Sequence, residues 1–330
     1  MYPDLLTLLA SRGLASLAAT ITPLAGGVSS DIYLVEDGDT RFVIKRALAK
    51  LRVKDEWLAD VSRNRYEQEY IDYVAGFLPE AVPRILHRDI EHGFFTMEHL
   101  GKEFANWKAL MLGGVYDYAH ADLAATILGT IHKHSWNDAK VAARFDTTAN
   151  FTQLRIDPYL YTTGARHLEL KAMFDDEGQR LAATRICLVH GDYSPKNILI
   201  SPARMVILDC EVAWFGDPAF DVAFLLNHLV LKSLLLGSHP EPVIEMVHHA
   251  WASYLKALAP PMRADLEPRV TKLLMMLMLA RIDGKSPVEY LSDVQREFVR
   301  SFVTKLLPEQ PTFLAQVLAN WHRALDGFEG

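Results

Sequence analysis

The chain has 330 residues, half of them apolar and 23% charged, with a formal net charge of -7. That length is more than one ordinary core needs and suits two, and the apolar content excludes a fibrous or largely disordered protein. The acidic balance argues against a protein that coats nucleic acid, which needs a surplus of Lys and Arg, but it leaves room for a local basic pocket.

The chain opens MYPDLLTLLASRGL, with Asp4 and no basic stretch, which is not the pattern of a signal peptide. Residues 20–46 alternate apolar and polar around the turn signals Gly26-Gly27 and Asp37-Gly38-Asp39, predicting antiparallel strands near 20–24, 31–36 and 41–46. A helix over 56–77 and, after Pro83, a strand pair over 84–98 follow. Beyond His99-Leu100-Gly101 the pattern is helical: Leu123, Ile127, Leu128 and Ile131 share a face. Further helices are expected near 165–182, 219–236, 241–258, 264–282 and 287–305. Gly284 would end one of these, and Ser286-Pro287-Val288-Glu289 reads as the capping box that opens the next.

The expected fold is α+β and two-lobed. A small antiparallel sheet with one helix occupies 1–98, and a larger, mainly helical lobe occupies 99–330. The longest apolar run, Leu273 to Ala280, is far short of the ~20 residues of a membrane span, so no membrane association is expected. Cys187 and Cys210 lie in strand-like runs and make no disulfide framework, which points to a reduced, cytoplasmic chain.

The exception to the helical pattern is Leu188 to Asp209, LVHGDYSPKNILISPARMVILD. Two short apolar runs, 198–200 and 205–208, flank the turn Ser201-Pro202-Ala203-Arg204. Such a hairpin returns the chain, so Asn197 and Asp209 end side by side at its open end. One amide oxygen and one carboxylate there suit a hard cation that keeps its waters and bridges phosphates, namely Mg²⁺. Asp192, five residues before Asn197, enters the same place and suits the task of accepting a hydroxyl proton. His190 is expected to brace the loop. A polar turn with an Asx cap is the purely structural alternative.

His190-Gly191-Asp192, Asn197 and then Asp209 resemble the catalytic loop and metal site of the aminoglycoside phosphotransferase family. That family has the protein-kinase-like fold and includes choline, methylthioribose and fructosamine kinases. Gly191 stands where protein kinases carry Arg, and Asp209-Cys210-Glu211 replaces Asp-Phe-Gly. Gly216-Asp217-Pro218 and Asp221 extend the likeness. The resemblance implies that Asp221 holds the catalytic loop by hydrogen bonds, while Asp217 also reads as a helix cap before Pro218.

In the first lobe, Gly26, Gly27, Ser29 and Ser30 join two strands, as either a cradle for phosphates or a plain hairpin turn. Val43-Ile44-Lys45 resembles the kinase strand whose lysine reaches the α/β-phosphates. The likeness assigns Glu67 as its ion-pair partner, with Glu69 as the fallback. It also assigns Glu98 and His99 to a hinge that pairs with adenine. Acceptor contacts are left open among Arg155, Asp157, Tyr159, Arg281, Asp283 and Lys285.

The implied activity is Mg²⁺-dependent transfer of phosphate from ATP, with GTP not distinguished, to a hydroxyl on a small molecule. No obligate protein partner is expected. A protein kinase is disfavoured because Asp209 and Asp217 are eight residues apart, too short a link for a peptide platform. A non-catalytic nucleotide-binding scaffold is the third reading. No Ser elbow of a hydrolase and no His pair at zinc spacing occurs.

Overall fold

The structure is a computed structural model and describes residues 3–24, 30–48, 63–237 and 239–328. Contacts divide the chain into two units, Met1–Phe104 and Ala105–Gly330. The boundary lies six residues beyond the expected 98/99. Periodicity marks where strands stop, not where contacts change over, and a turn closed by Phe104 N–H on Gly101 O (3.1 Å) keeps the connector with the first unit.

The first unit holds helix α1 (Pro3–Ser11), strands β1 (Thr20–Pro23), β2 (Ser30–Asp37) and β3 (Thr40–Ala47), helix α2 (Arg63–Ala75), and strands β4 (Ile85–Asp89) and β5 (Phe94–Glu98). The strands form one antiparallel sheet in the order β1-β2-β3-β5-β4. Gly38, at φ +59°, makes the tight β2–β3 turn, a backbone shape that glycine adopts freely. Leu9 of α1 joins Val35, Phe42, Ile44 and Phe94 in the core on one sheet face. In α2 the buried Glu67, Tyr70, Ile71 and Val74 fall at i, i+3, i+4 and i+7, one helical stripe. The expected start of this helix, residues 56–62, lies outside the described residues.

The second unit contains β6 (Ala105–Asn106), α3 (Trp107–Leu112), α4 (Tyr118–His134), α5 (Ala139–Arg144) and α6 (Thr148–Phe151). A π-helix (Thr152–Tyr161), α7 (Thr162–Arg166) and α8 (Lys171–Ala183) follow, then strands β7 (Cys187–Val189), β8 (Ile198–Ile200), β9 (Met205–Ile207) and β10 (Trp214–Gly216). The remainder is α9 (Ala219–Ser233), α10 (Glu241–Ala257), α11 (Leu266–Asp283), α12 (Asp293–Leu306) and α13 (Leu314–Leu325). Every residue of α9 is buried, and α10 and α11 pack against it. The stretch 219–236 has the length and apolarity of a membrane span, but 89% of it is buried within the protein, as expected of a core helix.

Two helix expectations need correction. The single helix over 165–182 is two, α7 and α8, separated by a turn at His167 (Leu170 N–H on His167 O, 3.0 Å). The wide turns before α7 hold Pro158, which has no N–H to give to a regular ladder. The helix over 287–305 begins at Asp293, capped reciprocally by Ser292 and Gln295. Ser286 opens no helix because Arg281 claims both its carbonyl and its hydroxyl, and Glu289 is drawn to Lys108. Tertiary charge contacts outweigh a local cap worth ~1 kcal/mol.

Candidate active site

In the second unit, strands β8 and β9 form the expected hairpin, and Leu208 N–H donates to Asn197 O at 2.8 Å just beyond its last rung. That bond sets Asn197 against the start of the 208–209 segment. Asp209 adopts φ +64°, an unusual conformation for a residue other than glycine. Asn197 Nδ2 donates to both the backbone oxygen and Oδ2 of Asp192, each at 2.9 Å. With its nitrogen so committed, the planar amide turns its oxygen away from Asp192.

Asp192 is 4% exposed, and three donors converge on its Oδ2: Asn197, Lys196 Nζ at 3.0 Å and Arg155 at 3.2 Å. Burial raises its pKa, but Lys196 and Arg155 outweigh burial and hold the carboxyl below its ordinary value. The charge of Asp209 acts in the opposite direction on Asp192. The carboxylates of Asp192 and Asp209, which repel, and the amide oxygen of Asn197 are donors of the kind that a hard divalent cation takes.

The loop carrying Asp192 is fixed from behind. Both oxygens of Asp221, in the first turn of α9, accept main-chain N–H groups, from His190 at 2.6 Å and Gly191 at 2.9 Å. His132 and Tyr254 continue this network, with His132 Nε2 at 3.3 Å from Asp221 and Nδ1 at 2.8 Å from the Tyr254 hydroxyl. His190 accepts the Asp192 N–H on Nδ1 (3.1 Å). Burial lowers its pKa, so it braces as a neutral imidazole. Gly191 has φ +79°, and a Cβ there would lie 2.7 Å from Val212 O, which explains why no arginine occupies this position. An arginine arrives from elsewhere: Arg155 of the π-helix donates through Nε to Gly191 O while bonding Asp192. Asp217 caps α9 through Ala219 N–H (2.9 Å) and pairs with Arg180 and Arg269, a structural duty.

In the first unit, Lys45 and Glu67 meet at 2.8 Å, both almost fully buried, whereas Glu69 pairs with Arg65 on the surface. Glu98 ends β5, exchanging bonds with the backbone of Arg84, and His99 follows it. Ser30 begins β2 and is buried. Gly26, Gly27 and Ser29 lie outside the described residues.

The acceptor candidates separate into two groups. Asp157 and Lys285 pair with each other at 2.7 Å, and Asp283 holds Arg300 and His167. Arg155, Tyr159 and Arg281 instead run on from Asp192: the Arg155 guanidinium lies 5.6 Å from the Tyr159 ring centre, and Arg281 reaches the Tyr159 hydroxyl at 3.3 Å. Lys196, His228 and Lys232 escape a sequence reading. Lys196 has a local signal, four residues after Asp192, but lysines inside an apolar helix read as ordinary surface.

The model of the phosphotransferase enzyme family matches residues 20–261. The methylthioribose kinase of Pectobacterium carotovorum is 26% identical over 224 residues, 60% of this chain and 56% of that protein. The matched stretch thus spans little more than half the length of that relative. Among solved structures, choline kinase from Cryptosporidium parvum superposes with a TM-score of 0.57 at 10% identity, covering 98% of this chain and 99% of that one. Amicoumacin kinase hAmiN, solved in complex with AMP-PNP, Ca²⁺ and Ami, gives 0.55 at 13% identity over 89% and 90%. The fold is the α+β, protein-kinase-like one expected, and the chain belongs to the phosphotransferase enzyme family.

Proposed function

We propose that the protein transfers the terminal phosphoryl group of ATP to a hydroxyl on a small molecule. The observation that supports this most is Asp192 held ionised between Lys196, Arg155 and Asn197, with Asp209 acting on it. Relatives named for methylthioribose, choline and amicoumacin are consistent with a small acceptor.

Asn197, through its amide oxygen, and Asp209 would hold Mg²⁺, which when bound neutralises phosphate oxygens. Asp192 accepts the hydrogen bond of the acceptor hydroxyl and aims its oxygen at phosphorus. As the new P–O bond forms and the bond to ADP breaks, the hydroxyl proton passes to the Asp192 carboxylate. A carboxyl held below its ordinary pKa is a weak base, which suits a loose transition state in which the acceptor oxygen carries little charge until late. In the first unit, Lys45, fixed by Glu67, is assigned to the α/β-phosphates. Catalysis is then mainly positioning and charge neutralisation.

The test is coupled ADP release across sugars, amino alcohols, hydroxy acids and nucleosides, with Mg·ATP binding measured in parallel. Acceptor-dependent ADP release supports the reading. Nucleotide binding without turnover on any acceptor makes the protein a scaffold, and phosphate entering only protein substrates makes it a protein kinase.

A further inference from the structure

Beyond Tyr159, the second unit gathers basic side chains from four elements. Lys232 and His228 come from α9, Arg281 from α11, Lys108 from α3 and Lys196 from the loop after Asp192. Lys232 is 1% exposed, and its ammonium donates to the backbone oxygen of His228 at 3.0 Å and lies 5.0 Å from the Tyr290 ring centre. Lys108 lies 5.8 Å from the same ring. Arg281, 8% exposed, bonds Ser286 and Tyr159 and forms no ion pair among the described residues, with Glu289 attracting it only through space.

The charges here do not balance. Lys108 and Arg281 both push against Lys232, and the opposing carboxylate, Glu289, is already paired with Lys108. His228, 5% exposed, lies in the repulsive field of Arg281, Lys232, Lys196 and Lys108, and its Nε2 has no hydrogen-bond partner among the described residues. Among the described residues, Arg281 Nε and the Tyr290 hydroxyl are likewise buried without partners. Burying cations together without an anion is costly, and leaving buried polar atoms unmade adds about 1–3 kcal/mol each. An anionic oxygen group placed among these atoms would relieve both costs. The cluster also runs on from the reacting carboxylate through Arg155 and Tyr159.

We propose that Lys232, Arg281 and His228 form the anion-binding part of the acceptor site, so that the hydroxyl oriented by Asp192 belongs to a molecule carrying a carboxylate or phosphate. This rests on the phosphotransferase reading above and narrows its substrate class, excluding amino alcohols and aminoglycosides, whose ammonium groups these cations would repel.

The experiment compares three acceptor sets in the ADP-release assay: glycerate, lactate and hydroxybutyrate; glycerol phosphate and ribose phosphate; choline, ethanolamine and kanamycin. Calorimetry with glycerate and with glycerol phosphate, in the absence of nucleotide, accompanies it. Turnover is expected in the first or second set, and which one responds identifies the anion as carboxylate or phosphate. For a responding acceptor, Lys232→Met and Arg281→Met should each raise KM about tenfold while kcat moves far less, the split expected of a group that anchors rather than reacts. Lys232→Met removes a buried cation from like charges and is expected to fold, which an unchanged or higher Tm checks.

Turnover of the ammonium set alone overturns the proposal while the phosphotransferase reading stands. An unchanged KM in both variants also overturns it, as does an absence of both binding and turnover with every anion. Calorimetric binding of glycerate or glycerol phosphate that Lys232→Met abolishes, without turnover of any acceptor, supports the anion site and removes the phosphotransferase reading instead.

Discussion

Lys45 in the first unit and Lys232 in the second are buried to nearly the same depth, 2% and 1% exposed, and have opposite surroundings. Lys45 meets the Glu67 carboxylate at 2.8 Å. Lys232 meets a backbone carbonyl, an aromatic face and other cations. A buried charge with its counter-charge in place orders the chain around it, at little net gain or loss to stability. A buried charge among like charges is a cost, and a fold tolerates it where a ligand removes it. The loop at Asp192 belongs with Lys45, since two cations and an amide already share its carboxylate.

The most severe break in the matched region is Asp192→Asn, which takes from Arg155 and Lys196 the carboxylate they share. It should lower kcat for acceptor-dependent ADP release by about 10³-fold, with Mg·ATP affinity changed little. Next in size, Glu67→Ala takes the carboxylate from Lys45 and should destabilise the fold by about 3 kcal/mol, read from chemical denaturation. Lys232→Met should do the reverse at neutral pH, and comparing the two variants shows whether matching decides the sign.

The pH dependence of stability sharpens the same contrast. Burial first, then Lys108 and Arg281, lower Lys232 from 10.5 to about 7. The unfolded chain therefore holds this proton more tightly, and stability attributable to Lys232 rises with pH from about 7 towards 10.5. Between pH 7 and 8.5 the difference between wild type and Lys232→Met should shift by about 2 kcal/mol in favour of wild type. A constant difference across that range would place Lys232 in a better-solvated setting. The smallest expected effect is that of Arg155→Lys. It keeps a cation for Asp192 but loses the planar fork that also reaches Gly191 O, so kcat should fall about tenfold with KM little changed.

How much of this a sequence discloses depends on the range of the interactions. The hairpin 198–207 and the proximity of Asn197 to the 208–209 segment follow from local strand and turn chemistry, so spacing alone reveals them. Glu67 over Glu69 follows from helix geometry plus a family likeness. Arg155 is different: its partners, Gly191 and Asp192, lie some 36 residues away, and a π-helix spoils the periodicity that would have aimed it. Ser286 misleads because its local capping signal is complete, and tertiary contacts prevent the helix: Arg281 folds back onto Ser286 and Lys108 draws Glu289 away. Lys232 and His228 are hidden because α9 is mostly apolar and buried on every side, so no periodicity sets its few polar residues on a solvent face or marks them as interior.

The central claim is that phosphate leaves ATP for a carbon-borne hydroxyl oriented by Asp192. Phosphorus NMR of the protein with Mg·ATP and each acceptor set reads this directly. The account predicts a new phosphomonoester resonance growing in step with ADP in wild type, with none formed by Asp192→Asn. ADP appearing only with inorganic phosphate, or the same phosphomonoester formed equally fast by Asp192→Asn, would contradict it.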